Sequence, residues 1–210
     1  MKQLPSENKK FKNVDKNWRD VIVGTKNNPN VLKACTREGL LEKFQDANKN
    51  LDLVQRGLKE YLEQKRSIFA RFYFLSNDEL LEILSQTKEV ENVRPHLRKV
   101  FENMADLEFK PDKTIIAMYS GEREKIGFYE TVDPREKGVE FWMGEVERMM
   151  FKSVRHALKS SVDDYLTKAR TEWILVHPGQ CVLNGSQVHW TSEVEDGMRK
   201  EGVVGVTKYF

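Results

Sequence analysis

Between residues 40 and 65, eight positions follow one another at alternating intervals of four and three: Leu40, Phe44, Ala47, Leu51, Val54, Leu58, Tyr61 and Lys65. Only an α-helix brings such a set onto one side, because 3.6 residues per turn returns positions three and four apart to the same face. The run lasts about seven turns, well beyond an average globular helix. Gly57 lies inside it and costs up to ~1 kcal/mol relative to alanine, without breaking the period. A second run, Trp142, Val146, Met149, Met150, Val154, Leu158, Val162 and Tyr165, predicts another long helix over roughly 139–168. There Asp164 and Lys168 form an i,i+4 pair worth a few tenths of a kcal/mol. Two such rods predict a mostly α fold: an elongated helical bundle of long amphipathic helices.

The remaining elements are punctuated by turn and cap residues. Residues 1–10 are polar and are expected to be a disordered terminus. Val14, Trp18, Val21 and Ile22 predict a first helix that stops near Asn27-Asn28-Pro29, and a short helix follows around Val31 to Cys35. After the long helix, Phe69, Phe72, Tyr73 and Phe74 crowd into an aromatic corner. A capped helix then runs from about Asn77 to Gln86, with Ser76 and Glu79 spaced as a capping box and Leu80, Leu81, Ile83 and Leu84 as its apolar face. Leu97, Val100, Phe101 and Met104 predict another short helix, with Pro95 in its first turn.

The period then changes. Thr114 to Ser120 and Arg123 to Phe128 read as an inserted β-hairpin around Gly121-Glu122, glycine suiting a two-residue type II′ turn. That register gathers Ile115, Ala117, Tyr119, Ile126 and Phe128 on one face; a one-residue slip would exchange the faces. Near the end, Asn184-Gly185 is a hairpin signal on local rules. Val182, Ser186, Trp190 and Val194 instead repeat every four residues, giving a helix from about Gly179 to Met198, and on the residues alone both readings stay open. Trp18, Trp142, Trp173 and Trp190 all lie in or beside apolar periodicities and are expected in the core. Four segments result: 1–10, a first helical part at 11–105, the hairpin insert at 106–134, and a second helical part at 135–210 whose last residues, Glu201 to Phe210, read as a truncated edge.

Composition excludes more than it assigns. Lys plus Arg number 35 against 33 Asp plus Glu, so no global field favours nucleic acid. Two cysteines, Cys35 and Cys181, are too few for a disulfide framework. No signal-peptide core and no apolar run near ~20 residues is present, so neither export nor a membrane span is expected, and the chain reads as intracellular. No Gly-x-x-x-x-Gly-Lys-Ser/Thr loop occurs, which argues against a nucleotide-binding phosphate cradle in this chain. His177, Cys181 and His189 merit weighing as metal ligands or as a Cys-His nucleophile pair. Pro178 and Gly179 intervene, a zinc site needs three or four converging ligands, and no orienting group for a nucleophile is recognisable. Catalytic, metal and cofactor residues are therefore expected to be none.

The wording of several stretches resembles the linker region of dynein heavy chains, most closely the axonemal ones. The corner carries it most specifically, Phe74-Leu-Ser-Asn-Asp-Glu-Leu-Leu-Glu-Ile-Leu84. Leu51 to Arg66, Gln86-Thr-Lys88, Val93 to Phe101, Glu172-Trp-Ile-Leu175, Pro178-Gly-Gln180 and Trp190 to Val194 continue it in the same order. Departures are Ala70, where the family often has proline, and Asn184-Gly185 with His189 in the final helix; the family pattern nevertheless implies the helix from about Gly179 to Met198 rather than a hairpin there. The resemblance implies a fragment of a large microtubule motor of cilia or flagella. In that family the linker bends and straightens over a ring of six AAA+ modules, which holds ATP and magnesium outside this fragment. It further implies the ring of the same heavy chain as intramolecular partner, with dynein intermediate and light chains and microtubules reached through other parts of the parent. Neither nucleic acid nor membrane is an expected partner. Within that picture Phe69, Phe72, Phe74 and Leu75 are candidates for a hinge. Glu122, Arg123, Glu124 and Lys125 at the hairpin tip are candidates for docking on the ring. A free-standing helical scaffold is the alternative reading.

Overall fold

A computed structural model describes residues 4–85 and 89–207. The chain divides into two compact units between Ser67 and Ile68.

The first unit is an antiparallel pair of helices, α1 (Pro5–Asn27) and α3 (Leu40–Ile68), the last residue of α3 lying past the division, with the single-turn α2 (Val31–Cys35) between them. Trp18 meets Phe44 with ring centroids 6.2 Å apart. Gly57 has its reason here: a Cβ at that position would lie 2.9 Å from Glu7 Cγ. Helix α1 starts at Pro5, so the terminal stretch expected to be disordered is helical from that residue onward. Proline at the first helical position has its φ preset and loses no needed donor, and Glu7 in the first turn suits the helix dipole. Those local factors outweigh the polarity that suggested disorder. Asn30 caps α2 by accepting from the Lys33 N–H.

In the second unit a 3₁₀ turn (Ala70–Phe74) leads into α4 (Asn77–Ser85). The Gln86-Thr-Lys88 motif and the last residue expected of α4 lie outside the described residues. A second 3₁₀ stretch (Val90–His96) contains Pro95 and runs directly into α5 (Leu97–Phe101). There the predicted helix ends early. Glu102 takes φ +56°, and Met104, expected on the helix, opens a strand instead. The sheet has three antiparallel strands in sequential order, β1 (Met104–Phe109), β2 (Ile115–Ser120) and β3 (Lys125–Val132), rather than a lone hairpin. The segment Met-Ala-Asp-Leu-Glu-Phe carries Asp and Glu, poor strand formers, and it is cross-strand pairing that makes it a strand.

The register corrects the predicted one. Met118 stands opposite Ile126, Tyr119 opposite Lys125 and Ala117 opposite Gly127. Ile126 therefore leaves the face of Ala117 and Tyr119 and joins Met118. The cause is the turn: Ser120 N–H donates to Glu124 O, which leaves three loop residues, not two. Arg123 takes the left-handed conformation at φ +66°, as in a type I turn followed by a bulge. Gly121 serves a different purpose, since a Cβ there would lie 2.7 Å from Asn103 Oδ1.

Helix α6 (Val139–Asp164) packs along β3, then α7 (Arg170–Val176), α8 (Gly179–Glu201) and the short α9 (Val203–Val206) follow. The Tyr129 N–H donates to the buried Ser153 hydroxyl at 2.9 Å, tying β3 to α6. Residues 180–194 are helical, which agrees with the four-residue period and the family resemblance and not with the local hairpin signal. Gly185 is the point of closest approach: a Cβ would meet Trp173 Cζ2 at 3.1 Å and Ser161 Oγ at 3.2 Å. The core of the unit comprises Phe69, Phe72, Leu80, Leu97, Leu107, Ile115, Trp142, Met143, Val146 and Trp173. Trp18 and Trp190, expected in the core, are about half exposed; each lies on a helix whose apolar stripe is wider than the surface it covers. The mostly α fold with a small β insert is as expected.

Candidate functional site

Two places carry the candidate residues, and the corner comes first. Phe69 and Phe72 pack edge to face with centroids 5.0 Å apart, and Phe69 also faces Phe101 of α5 at 6.1 Å. The 3₁₀ turn forms because Phe72 N–H donates to Phe69 O and Leu75 N–H donates to Phe72 O. A turn of three residues directs Phe69, Phe72 and Leu75 inward and turns Phe74 out. The first three are buried, whereas Phe74 is 67% exposed. Of the four candidate hinge residues, the structure brings three together.

Arg71 fastens this corner to distant elements. Its Nε donates to Glu147 Oε1 of α6 at 2.5 Å, its Nη1 to the Val100 carbonyl at 3.3 Å, and its guanidinium lies 5.3 Å from the Phe101 ring centre. Below it the capping box is formed. Ser76 N–H donates to Glu79 Oε2 at 3.0 Å, and Glu79 N–H donates to Ser76 Oγ at 3.3 Å. Lys99 bonds the other oxygen of Glu79. Lys99, followed by the Ser76 N–H and hydroxyl, holds the Glu79 carboxyl down at about 2.

At the hairpin tip the four candidate charges do not act as a set. Glu124, though exposed, reaches across to α8 and accepts from Gly179 N–H at 2.8 Å. Lys125 pairs with Glu108 at 2.6 Å, and Glu108 also accepts from the Tyr119 hydroxyl at 2.7 Å. Lys125 first, then Tyr119, lower the Glu108 carboxyl below its ordinary value, and Glu108 in turn raises Lys125. Glu122 reaches Asn103 Nδ2 at 3.5 Å. The Arg123 N–H donates to Ser120 O at 3.1 Å, and of the four side chains its guanidinium alone has no hydrogen-bond or ion-pair partner among the described residues. One signal for the Glu124 contact is in the sequence: Pro178 stands where a helix wants a capping side chain, so the acceptor must come from elsewhere.

His177, Cys181 and His189 go to separate partners. His177 Nε2 lies 2.9 Å from Asp164 Oδ2, and the same carboxylate receives Lys168 at 2.6 Å. Lys168 first, with His177 behind it, lowers the Asp164 carboxyl from its ordinary value. His189 Nε2 lies 2.8 Å from the Val162 carbonyl, which can only accept, so this nitrogen carries the proton. Its ring stacks on Tyr165 at 4.2 Å. Cys181 is buried, and burial raises its thiol. Among the described residues no group of three or more His, Cys, Asp or Glu could hold a metal ion, and no helix is long and apolar enough to cross a membrane.

With this geometry, likeness to known proteins becomes informative. A family model described as dynein heavy chain, N-terminal region 2, matches residues 1–161. Dynein axonemal heavy chain 1 of Mus musculus is 47% identical over 197 residues, covering 94% of this chain and 5% of that protein. Its Homo sapiens counterpart is 46% identical over 196 residues, 93% of this chain and 5% of that protein. Dynein axonemal heavy chain 12 of Homo sapiens is 43% identical over 212 residues, all of this chain and 7% of that protein. The chain thus spans less than a tenth of the length of these relatives.

Proposed function

The chain belongs to the dynein heavy chain family, in its N-terminal region 2, and on that premise we propose that it transmits force within an axonemal motor rather than generating it. The observation that carries this reading is the pairing of family membership with a chain that has long helices and no phosphate loop. In α3, α6 and α8 it has helices of 29, 26 and 23 residues, suited to carrying load. Its work would be to bend and straighten over an AAA+ ring of the same heavy chain, where ATP and magnesium are bound and spent. The names of its relatives support a place in the axoneme of a cilium or flagellum. Identity of 43–47% to axonemal heavy chains across nearly the whole chain favours this over a free-standing scaffold.

The compliant joint in this reading is the aromatic corner. Phe69, Phe72 and Leu75 form a small cluster that can repack between two discrete arrangements, and Phe74 stands exposed beside it. The corner follows directly in sequence on the division between the two compact units. Docking on the ring falls to the hairpin tip, with Arg123 and Glu122 outermost and Glu124 and Lys125 holding the tip in place.

The test replaces Phe72 and Phe74 with alanine in the full motor and reads microtubule gliding. Slowed gliding with retained basal ATPase is the expected result. Unchanged velocity in a folded motor removes the joint. A second arm reverses Arg123 to Glu, and undisturbed coupling of ATPase to motion would remove the docking role.

A further inference from the structure

Helix α6 shows two faces. Its inner one, through Trp142, Met143, Val146, Met149 and Ser153, is buried. A second stripe, Phe141, Gly144, Arg148, Phe151, Arg155 and Leu158, climbs the helix by alternating steps of three and four. That is the spacing by which a helix receives another helix. Phe141 and Phe151 are 54% and 61% exposed, although both are large aromatics. From Gly144 to Leu158 the stripe lines a shallow trough of about 700 Å³, and its length from Phe141 to Leu158 is about 26 Å. Gly144 is not demanded from inside: the nearest atom to a Cβ there would be Phe69 Cδ2, at an ordinary 4.0 Å.

The charges on this surface are one-sided. Glu147 is held by Arg71 and Glu145 by Lys137, so both carboxylates are already paired. The guanidinium groups of Arg148 and Arg155 have no hydrogen-bond or ion-pair partner among the described residues. Lys152 between them has only an exposed contact with Glu130 at 3.4 Å. Two unpaired guanidinium groups one heptad apart, with Phe151 between them, suit carboxylates on an approaching helix, since guanidinium binds carboxylate in two parallel bonds.

We infer that this stripe docks an acidic amphipathic helix of a partner, its apolar residues seated on Phe151 and Leu158 beside Gly144 and its carboxylates on Arg148 and Arg155. The inference is independent of whether the chain bends in a motor. Its occupant is a helix and not a lipid surface, because the unpaired cations form one column with paired carboxylates beside it.

The test uses the 210-residue chain and a fluorescent synthetic helix of about 21 residues. The probe carries leucine at alternating three- and four-residue spacing and glutamate on both flanks of that stripe. Saturable binding that weakens with salt is expected, lowered about tenfold or more in Arg148→Glu/Arg155→Glu and about tenfold in Phe151→Ala. A probe with lysine for glutamate should fail on the native chain and bind the charge-reversed one, a rescue that a merely misfolded variant could not give. Equal binding of both probes, or binding unchanged in the reversed variant, overturns the inference. So does self-association of the chain abolished by Phe151→Ala, or anionic vesicles binding through Arg148 and Arg155 where the acidic probe does not.

Discussion

The carboxylate of Glu124, at the tip of the β2–β3 turn, accepts the first free N–H of α8, that of Gly179, from 55 residues away at 2.8 Å. Pro178 offers no side-chain acceptor, so the start of α8 is completed by the sheet. Losing an N-cap costs about 0.5–2 kcal/mol, and an exposed one falls at the lower end. Glu124→Ala should therefore destabilise the chain modestly and fray Gly179 to Cys181. The readout is alkylation of Cys181, 1% exposed in the native chain, in a Cys35→Ser background. Glu124→Ala should label severalfold faster and Glu124→Gln less so. Identical rates for all three would show that the contact does not hold the helix.

Acid should act through Glu79. Its folded value is about 2 against an ordinary 4.5. A depressed carboxyl contributes stability that is fully present above the unfolded value and is lost as pH falls through the folded one. The window is therefore pH 4.5 down to about 2. Urea unfolding of the native chain should weaken across that window, and Glu79→Gln should flatten the dependence. The difference between the two proteins should vanish near pH 2; a constant offset would mean that the capping box and Lys99 do not set the shift.

Arg71 and Glu147 join the corner to α6 across 76 positions, with both side chains about 30% exposed. A partly buried, close pair of this kind should couple by about 1 kcal/mol. A cycle with Arg71→Met, Glu147→Gln and the double variant measures it. Strict additivity would relegate the pair to an incidental surface contact.

Two glycines in helices should respond in opposite directions. Gly185→Ala places a methyl at 3.1 Å from Trp173 and 3.2 Å from Ser161, which must give way, at about 1–3 kcal/mol. Gly144→Ala meets nothing closer than 4.0 Å and should gain about 0.5–1 kcal/mol from helix propensity. Thermal melting compares them, and a stabilised Gly185→Ala would contradict the close packing of α8 on Trp173.

The sequence made the helices legible wherever a long stripe existed, as in α3 and α6, because periodicity accumulates over many turns. At α8 the four-residue period and the Asn184-Gly185 signal competed, and the family resemblance tipped the reading to the helix that forms; that glycine is spent on the approach of Trp173, which no local rule detects. Two kinds of feature escaped. Strand β1 alternates apolar and polar residues only from Ala105 to Phe109, has no β-branched residue and carries Asp106 and Glu108, so its signal is short and weak and it is pairing with β2 that makes it a strand. The register of β3 turned on one dihedral, Arg123 at φ +66°, since a third loop residue exchanges every face downstream. At the candidate sites the residues of the corner could be found from their aromatic density, but Phe74 pointing outward followed only from the 3₁₀ geometry. The contacts of Arg71 and Glu124 join positions 76 and 55 apart and have no local signature beyond the missing cap at Pro178.

The tryptophans, finally, give the molecule a built-in optical division. Trp142 and Trp173 are sealed, and the indole of Trp173 donates to the Ser161 carbonyl at 2.8 Å, while Trp18 and Trp190 face solvent. Emission should therefore split into an acrylamide-accessible red component and a shielded blue one. With Trp190 replaced by phenylalanine, the red component would come from the first compact unit alone, allowing its local motions to be followed without any added dye.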